Sequence, residues 1–457
     1  MNNSAYDNEG PEFLAKHPEL TTIDLLIPDM NGVIRGKRVD PSVLEKAYSK
    51  GICLPESIFS LDIRGNTVEE TGVGLATGDA DKYCYPIPGT LSLVPWQKRP
   101  TAQLLMTMHH ADRTPITINP RQVLTNVVER FKELGVKPVV AVEMEFYLLD
   151  KEFSPELTPQ PPISPVSGKR ESNTQVYSMD DLDDYAEFLE DVIHSAQKQG
   201  IPADTIIAEY APGQFEVNLH HVDAPLAACD HGILLKRVIK SIATKHGFEA
   251  TFMAKPYPDL AGNGMHIHVS VINEAGDNAF AGEGGDNYAP LMKQALAGLL
   301  ELMPASMALF CPNVNSYRRF SPDFYTPNTP SWGVDNRTTA LRIPAGDRAA
   351  TRIEHRVSGA DANPYLAMAS ILAGIHHGVT NRLECQPVLK GNAYEQLEPS
   401  LADNLRDALR LLQESDPLQS YLGEEFLSTY CICKEHEMVE FEKSISDLEY
   451  KWYLRTV

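Results

Sequence analysis

The sequence has no apolar segment long enough to cross a membrane. A membrane-spanning helix needs about 20 consecutive apolar residues, and the best candidate, residues 367–375, is interrupted by Ser370 and Gly374. The amino terminus indicates neither a signal peptide nor a transit peptide, because residues 1–13 are polar and acidic. We therefore expect a cytoplasmic protein that does not bind membranes.

Basic residues are also in short supply. The 457-residue chain has 40 Lys and Arg residues against 62 Asp and Glu residues, which gives a formal net charge of −22. A negatively charged surface repels the phosphate backbone of nucleic acids, and the sequence has no basic run of useful length. Nucleic-acid binding is therefore not expected. The apolar content of 43% is instead typical of a globular protein with a sizeable core.

Cysteine is scarce, and several catalytic signatures are missing. The seven cysteines are scattered, and only Cys431 and Cys433 are close together, so reduced buried thiols are a simpler interpretation than a metal site. The sequence contains no GxxxxGK[ST] phosphate-binding loop, no GxSxG nucleophile elbow and no catalytic cysteine motif. These absences exclude a P-loop nucleotide site and the common nucleophilic hydrolases.

The hydrophobic pattern changes near residue 115. Before this point, short apolar runs separated by turn residues predict a small β-rich unit. After it, an amphipathic helix begins at Pro120 and is ended by Gly135. Strands then alternate with helices, which we predict at residues 180–199, 225–246, 288–302, 363–381 and 400–414. We predict two domains, residues 1–115 and residues 116–457, and the larger one is of the α/β or α+β class.

The most informative pattern is the placement of ionisable residues at alternate positions of apolar strands. Residues i and i+2 of a strand share one face, so Glu143 and Glu145 point together while Val142 and Met144 point into the core. Three other strands carry similar polar faces, formed by Glu216 and Asn218, by His266, His268 and Ser270, and by Arg352, Glu354 and Arg356. Glu209 lies seven residues before Glu216. Any one of them could be a solvated surface strand. Together, the carboxylates and imidazoles suit Mg²⁺ or Mn²⁺ and the arginines suit phosphates, which predicts a divalent-metal site for phosphoryl transfer.

Six motifs in this order resemble those of the glutamine synthetase superfamily. They are VEMEF at 142–146, EYAPGQFE at 209–216, GNGMH at 262–266, NSYRR at 315–319, NR at 336–337 with RIP at 342–344, and RIEHR at 352–356. The resemblance extends over essentially the whole chain. It implies an α+β fold with a small amino-terminal β-grasp domain and a large catalytic domain built on a curved antiparallel sheet. It also implies a homododecamer of two hexameric rings, with active sites between neighbouring subunits.

The resemblance further implies ATP and two or more Mg²⁺ or Mn²⁺ ions in each site, and it gives roles to the motif residues. The ligands of one metal are Glu145, Glu209 and Glu216, and those of the other are Glu143, His266 and Glu354. The glutamate carboxylates are bound by Arg319 and Arg356, with Gly262 in the adjacent loop. The nucleotide phosphates and the transferring phosphoryl group are contacted by Arg337, Arg342 and Arg352, while His268 and Ser270 lie toward the adenine. Arg337, Arg342 and Glu354 are the residues we assign to catalysis.

Two positions depart from the ammonia-using members of this superfamily. Those members bind and deprotonate ammonium with an Asp of the amino-terminal domain and a Glu of a flexible flap, and the matching positions here are Leu54 and Tyr325. Loss of both anions removes the ammonium site but leaves the residues that make glutamyl phosphate. A bulkier and partly apolar amine is therefore expected. Segments such as 331–333 and 358–363 also look like those of the glutamate–polyamine ligase branch.

The sequence thus indicates an ATP-dependent ligase that joins L-glutamate to putrescine, polyamines or related amines as γ-glutamyl amides. An ammonia-dependent glutamine synthetase and a catalytically silent ring protein are the alternatives. Ala261 replaces an Asn of the family's glutamate-binding loop. Tyr394 lies near a loop tyrosine that the family modifies for regulation, and an exposed loop tyrosine without that role is the simpler interpretation.

Overall fold

The chain folds around two β-sheets that follow one another along the sequence. The computed structural model describes residues 8–155, 158–173, 175–282 and 287–457. Strands and helices are interspersed up to residue 355 and helices follow one another after it, so the mixed α and β architecture is confirmed. Among these residues, no helix combines the length and the apolar character that crossing a bilayer requires.

The amino-terminal sheet has six strands. They are β1 (Thr22–Pro28), β2 (Ile34–Val39), β3 (Ile52–Pro55), β4 (Asp81–Pro86), β5 (Ser92–Leu93) and β6 (Thr101–His109). The strand order is β2-β1-β6-β4-β3, with β5 paired to β6. β1 and β6 are parallel and the other pairs are antiparallel. Almost every residue of these two central strands is buried, which explains their nearly continuous apolar sequence.

The second sheet has eight strands and carries the ionisable faces predicted from the sequence. They are β7 (Val136–Leu149), β8 (Ala203–Ala208), β9 (Gln214–Leu219), β10 (Glu249–Thr251), β11 (Met265–Asn273), β12 (Trp332–Val334), β13 (Leu341–Ile343) and β14 (Ile353–His355). The order is β12-β13-β14-β11-β7-β9-β8, with β10 paired to β7. The pairs are antiparallel, as expected, except for the parallel pair β12 and β13 at one edge.

The helices of the described residues cover the sheets and build the carboxyl-terminal part of the chain. They are α1 (Glu9–Lys16), α2 (Leu44–Lys50), α3 (Pro120–Arg130), α4 (Met179–Asp184), α5 (Ala186–Lys198), α6 (Pro225–Lys245), α7 (Pro290–Phe310), α8 (Pro364–Thr380), α9 (Ala393–Gln396), α10 (Leu405–Gln413), α11 (Asp416–Leu422), α12 (Glu424–Glu442) and α13 (Asp447–Tyr453). Local sequence explains the starts of several. At α3, the Asn119 side chain accepts a hydrogen bond from the backbone of Arg121, and Pro120 occupies the first turn.

The hydrophobic core lies on one face of the second sheet. Val142, Met144 and Phe146 of β7 are fully buried, and α6 packs against this strand. Glu143 and Glu145 therefore point to the opposite face, as the alternation of the sequence predicts. The packing leaves that face available for a polar site.

All seven cysteines are free thiols, as the sequence analysis expects. Cys431 and Cys433 lie in α12, and each is almost completely buried. Burial raises the pKa of both thiols to about 12. They are therefore protonated near neutral pH, and among the described residues neither belongs to a cluster of three or more candidate metal ligands.

Candidate functional site

The register of the second sheet brings the ionisable residues of five strands together. Glu143 lies opposite Asn218 on one side and His266 on the other. Glu145 lies opposite Glu216, and Glu354 lies between His268 and Arg342. Because facing residues of paired strands point to the same face, the separate patterns form one polar surface.

Glu145, Glu209 and Glu216 form the first cluster of candidate metal ligands. One carboxylate oxygen of each residue lies within 4.8 Å of the others. Burial and the neighbouring carboxylates raise the pKa of Glu209 to about 8 and raise that of Glu216 well above its ordinary value. Such mutual repulsion is relieved when a cation binds between the carboxylates. The cluster therefore suits a divalent cation.

The second predicted set, Glu143, His266 and Glu354, is also brought together. His266 Nδ1 lies 3.3 Å from Glu143 Oε2 and 4.0 Å from Glu354 Oε1. Burial alone would raise the pKa of both carboxylates. Hydrogen bonds from His266 and His268 instead lower the pKa of Glu143, and the charges of Arg356 and the two histidines lower that of Glu354 to about 2. Both carboxylates are therefore ionised near neutral pH, the form that a metal ligand requires.

His268 lies closer to the carboxylates than its expected place near the adenine suggests. Its Nε2 is 2.7 Å from Glu143 Oε1, and its Nδ1 accepts a hydrogen bond of 3.2 Å from Arg352 Nε. His268, Glu143 and Glu354 also offer ligand atoms within 4.8 Å of one another. His268 therefore connects a predicted phosphate-binding arginine to a predicted metal ligand. Oxygen-rich sets with imidazole fit Mg²⁺ or Mn²⁺.

Two predicted arginines share the carboxylate of Glu354. Arg342 Nη1 donates to Glu354 Oε2 at 2.7 Å, and Arg356 Nη1 donates to Glu354 Oε1. A second nitrogen of Arg342 lies 2.5 Å from Asp335. The Nε atoms of both arginines are buried and have no hydrogen-bond partner among the described residues. These unpaired donors are consistent with a site that binds anions.

Arg319 and a glycine loop form the wall next to the first carboxylate cluster. Arg319 is almost fully buried and donates to the Val357 carbonyl at 3.1 Å. A Cβ on Gly262 would lie 2.6 Å from both the Ala254 carbonyl oxygen and Arg319 Cγ, so only glycine fits there. The backbone of Gly264 donates to Glu145 Oε2 at 2.6 Å. Gly264 was not predicted as a site residue, although the GNGMH motif contains it.

The glycine loop is held by polar side chains that the sequence analysis also missed. Gln214 Nε2 donates to the Gly262 carbonyl at 3.0 Å, and Asn263 Nδ2 donates to the Met253 carbonyl at 2.9 Å. The carbonyl of Ala261 accepts a hydrogen bond of 2.7 Å from Tyr147. Gln214 lies within the EYAPGQFE motif and Asn263 within the GNGMH motif, so the sequence places both residues near the site. Which groups they contact depends on the folded loop.

Tyr325 and Arg337 line a cavity of about 1070 Å³ beside the polar surface. Tyr394 lines it too, which corrects the expectation of an exposed loop tyrosine. The residue lies in α9, and its hydroxyl is buried with no hydrogen-bond partner in the described part of the chain. Burial raises the pKa of Tyr394 to about 12.

Leu54, the other predicted selectivity residue, lies in β3 within the core of the small sheet, where it is 6% exposed.

Ser270 lines a separate cavity of about 780 Å³ at the far end of β11. Ile272, Asn278, Tyr288 and Arg348 also contribute to its walls. Apolar, amide and cationic groups in one cavity of this size are suitable for a nucleotide base and its attached groups.

The chain is similar to known enzymes along its whole length. Residues 117–453 match the family described as glutamine synthetase, catalytic domain. The chain is 46% identical over 452 residues to gamma-glutamylputrescine synthetase PuuA of Escherichia coli (strain K12), covering 99% of this chain and 95% of the relative. It is 34% identical over 451 residues to glutamate–isopropylamine ligase of a Pseudomonas species, covering 97% and 96%. Among solved structures, a GmaS/ADP complex superposes with a TM-score of 0.84 at 28% identity, over 97% of this chain and 98% of that chain.

Proposed function

The chain belongs to the glutamine synthetase family, and from this premise we propose that it is an ATP-dependent ligase that joins glutamate to an amine. An oxygen of the glutamate γ-carboxylate attacks the γ-phosphorus of ATP, and the bond from that phosphorus to ADP breaks. The amine nitrogen then attacks the acyl carbon of γ-glutamyl phosphate, phosphate leaves, and the nitrogen loses a proton. The observation that carries this proposal is the convergence of two carboxylate clusters and several arginines on one face of the second sheet.

We assign the residues of this face to the two steps. Glu145, Glu209 and Glu216, and Glu143, His266 and Glu354, are the proposed ligands of two or more Mg²⁺ or Mn²⁺ ions, with His268 beside the second set. Bound divalent ions would neutralise phosphate charge, which is the main requirement of phosphoryl transfer. Arg337, Arg342 and Arg352 are suited to hold the phosphates, because guanidinium groups bind them in a fixed geometry. Ser270 and its cavity are the proposed adenine site, and Gly262, Arg319 and Arg356 the proposed glutamate site.

An organic amine fits the flap better than ammonia does. An ammonium ion must be held and deprotonated, and Tyr325 and Leu54 offer no carboxylate for either task. The two relatives described above are named for putrescine and isopropylamine. We therefore propose putrescine, a polyamine or a related amine as the second substrate. Leu54 is 6% exposed in the core of the small sheet, and its part in an amine site would depend on the assembly of subunits that we propose below.

We also propose that the protein works as a homododecamer of two hexameric rings, with domains 1–115 and 116–457, in the cytoplasm. Support for assembly comes from the carboxyl-terminal segment, where Ile445, Trp452 and Leu454 are each more than half exposed. Exposed apolar groups of this size are typical of protein interfaces. The seven free thiols support a reducing compartment.

The proposal is tested by following ADP formation by the purified protein. We expect turnover only when glutamate, an amine and Mg²⁺ or Mn²⁺ are all present, together with a γ-glutamyl amide detected by mass spectrometry. ATP turnover without amide formation, or no turnover with any amine or with ammonia, would contradict the ligase assignment. Turnover with ammonia alone would favour an ordinary glutamine synthetase.

A further inference from the structure

The flap, residues 319–327, is held in part by the side chain of Phe324. Phe324 contacts Tyr210 edge to face, with ring centroids 5.9 Å apart, and the Lys255 ammonium lies 4.3 Å from its ring centre. The chain neighbours of Phe324, Asp323 and Tyr325, instead line the cavity of about 1070 Å³. Anchoring by Phe324 therefore presents a carboxylate and a phenol to this cavity.

Another part of the cavity lining lies near the proposed reaction centre. It includes Arg337, one of the proposed phosphate ligands, and Tyr394. The charge of Arg356, a proposed glutamate ligand, lowers the pKa of the Tyr394 phenol, and the Tyr325 phenol acts on the same group, although burial has the largest effect. An amine in this cavity can therefore have one end near the glutamyl phosphate and the other end near the flap.

The carboxylates that line the cavity differ in whether a cation already pairs with them. Among the described lining residues these are Asp323 and Asp335. Asp335 lies 2.5 Å from Arg342 and is therefore paired. Asp323 is exposed, and among the residues that the structure describes its carboxylate accepts only a weak hydrogen bond, 3.4 Å long, from the Ser321 hydroxyl. Asp323 is thus the carboxylate that is available to a cationic ligand.

We propose that Asp323 binds the distal ammonium group of a diamine substrate. This inference rests on the ligase function proposed above and names the specificity residue of the same site. An alkyl ammonium has a pKa of about 10, so the distal nitrogen keeps its charge at neutral pH while the attacking nitrogen must lose a proton. Asp323 neutralises the charge of the distal nitrogen, and the rings of Tyr325 and Tyr394 cover the methylenes between the distal and the attacking nitrogen. A monoamine has no distal charge and gains nothing from Asp323.

The test compares 1,4-diaminobutane with butylamine, which has the same carbon chain and lacks the second amine. In Asp323→Asn, kcat/KM for the diamine should fall by about tenfold or more, which is the effect typical of losing a hydrogen bond to a charged group. The value for butylamine should stay unchanged, and Asp323→Glu should keep the diamine preference. Asp403→Asn, in an exposed loop outside the cavity, is the matched control and should change neither value.

Several results would overturn the proposal. Equal losses for both amines in Asp323→Asn would mean that Asp323 acts in flap closure, for example by pairing with Lys390, which also lines the cavity. No change for either amine, or wild-type protein that does not prefer the diamine to butylamine, would mean that Asp323 does not contact the substrate. In all these cases amide formation still supports the ligase function, whereas absence of amide with every amine would contradict that function itself.

Discussion

Glu145 shows how one side chain of the site can be removed without disturbing the strand that carries it. Its neighbours Met144 and Phe146 are fully buried on the other face of β7. We expect Glu145→Ala to fold normally but to lose at least about 100-fold in activity, because losing a proposed metal ligand should cost more than the roughly 10- to 100-fold typical of losing a residue that only hydrogen-bonds to a ligand. Activity at modest Mg²⁺ and circular dichroism are the measurements. Near-normal turnover would contradict the metal assignment, and Glu190→Ala on the exposed face of α5 is the control.

Arg356 allows a finer test, because charge and geometry can be separated. Its guanidinium binds Glu354 and belongs to the proposed glutamate site. Arg356→Lys keeps the charge but loses the forked geometry that binds a carboxylate with two hydrogen bonds. The KM for glutamate should therefore rise more than the KM for ATP in steady-state kinetics. Equal increases for both substrates would argue against the glutamate role, and Arg382→Lys should change neither.

Individual residues also show which parts of the site could be predicted. Glu143, Glu145, Glu216, His266 and Glu354 alternate with apolar residues, and that period alone places them on one face. Asp323 and Tyr394 follow no period, because they lie in a three-residue 3₁₀ helix and a four-residue α-helix whose positions depend on distant contacts. No local pattern could have indicated that they face the same cavity.

Among the helices, the predictions are confirmed where the apolar period of the sequence agrees with the observed burial. The predicted helix at residues 225–246 is observed as α6, Pro225–Lys245. The helix expected to end at Leu302 instead continues as α7 to Phe310, past Pro304. Proline usually breaks a helix, but Met307, Leu309 and Phe310 are buried here, and that packing outweighs the lost hydrogen bond. The single helix expected at 180–199 is divided at Tyr185, whose ring is buried and whose hydroxyl donates to the Pro162 carbonyl.

The flap is the element that should decide which nucleophile is used. Tyr325 is 55% exposed, has a φ of +53° and lines the cavity. Tyr325→Glu places a carboxylate where ammonium could be held and deprotonated, so the ratio of kcat/KM for ammonia to that for putrescine should rise. Tyr325→Phe, which adds no charge, is the matched control and should not raise it. If Tyr325→Glu brings no gain in the use of ammonia, then Leu54 or the flap backbone, and not Tyr325, determines the choice between ammonia and organic amines.

The stability of the whole molecule should depend on pH and on bound metal through the first carboxylate cluster, Glu145, Glu209 and Glu216. The pKa of Glu209 is raised from 4.5 to about 8 by burial and by Glu145 and Glu143. The folded protein therefore binds more protons than the unfolded chain between these values, and without metal its stability should fall as the pH rises through this window. Divalent cations need ionised carboxylates. The increase in melting temperature caused by Mn²⁺ should then be larger at pH 8 than at pH 6, whereas an equal increase would contradict the coupling.

The most direct test of the proposed ligase function is the relative use of ammonia and organic amines. With saturating glutamate and ATP, kcat/KM should be measured for ammonia, for a series of alkylamines, and for putrescine and spermidine. We expect the value to rise with chain length, because each buried methylene contributes roughly 0.8 kcal/mol, and ammonia to be the poorest nucleophile. Ammonia supporting a kcat/KM equal to or above that of putrescine, spermidine and the alkylamines would contradict the assignment of this chain as a glutamate–amine ligase.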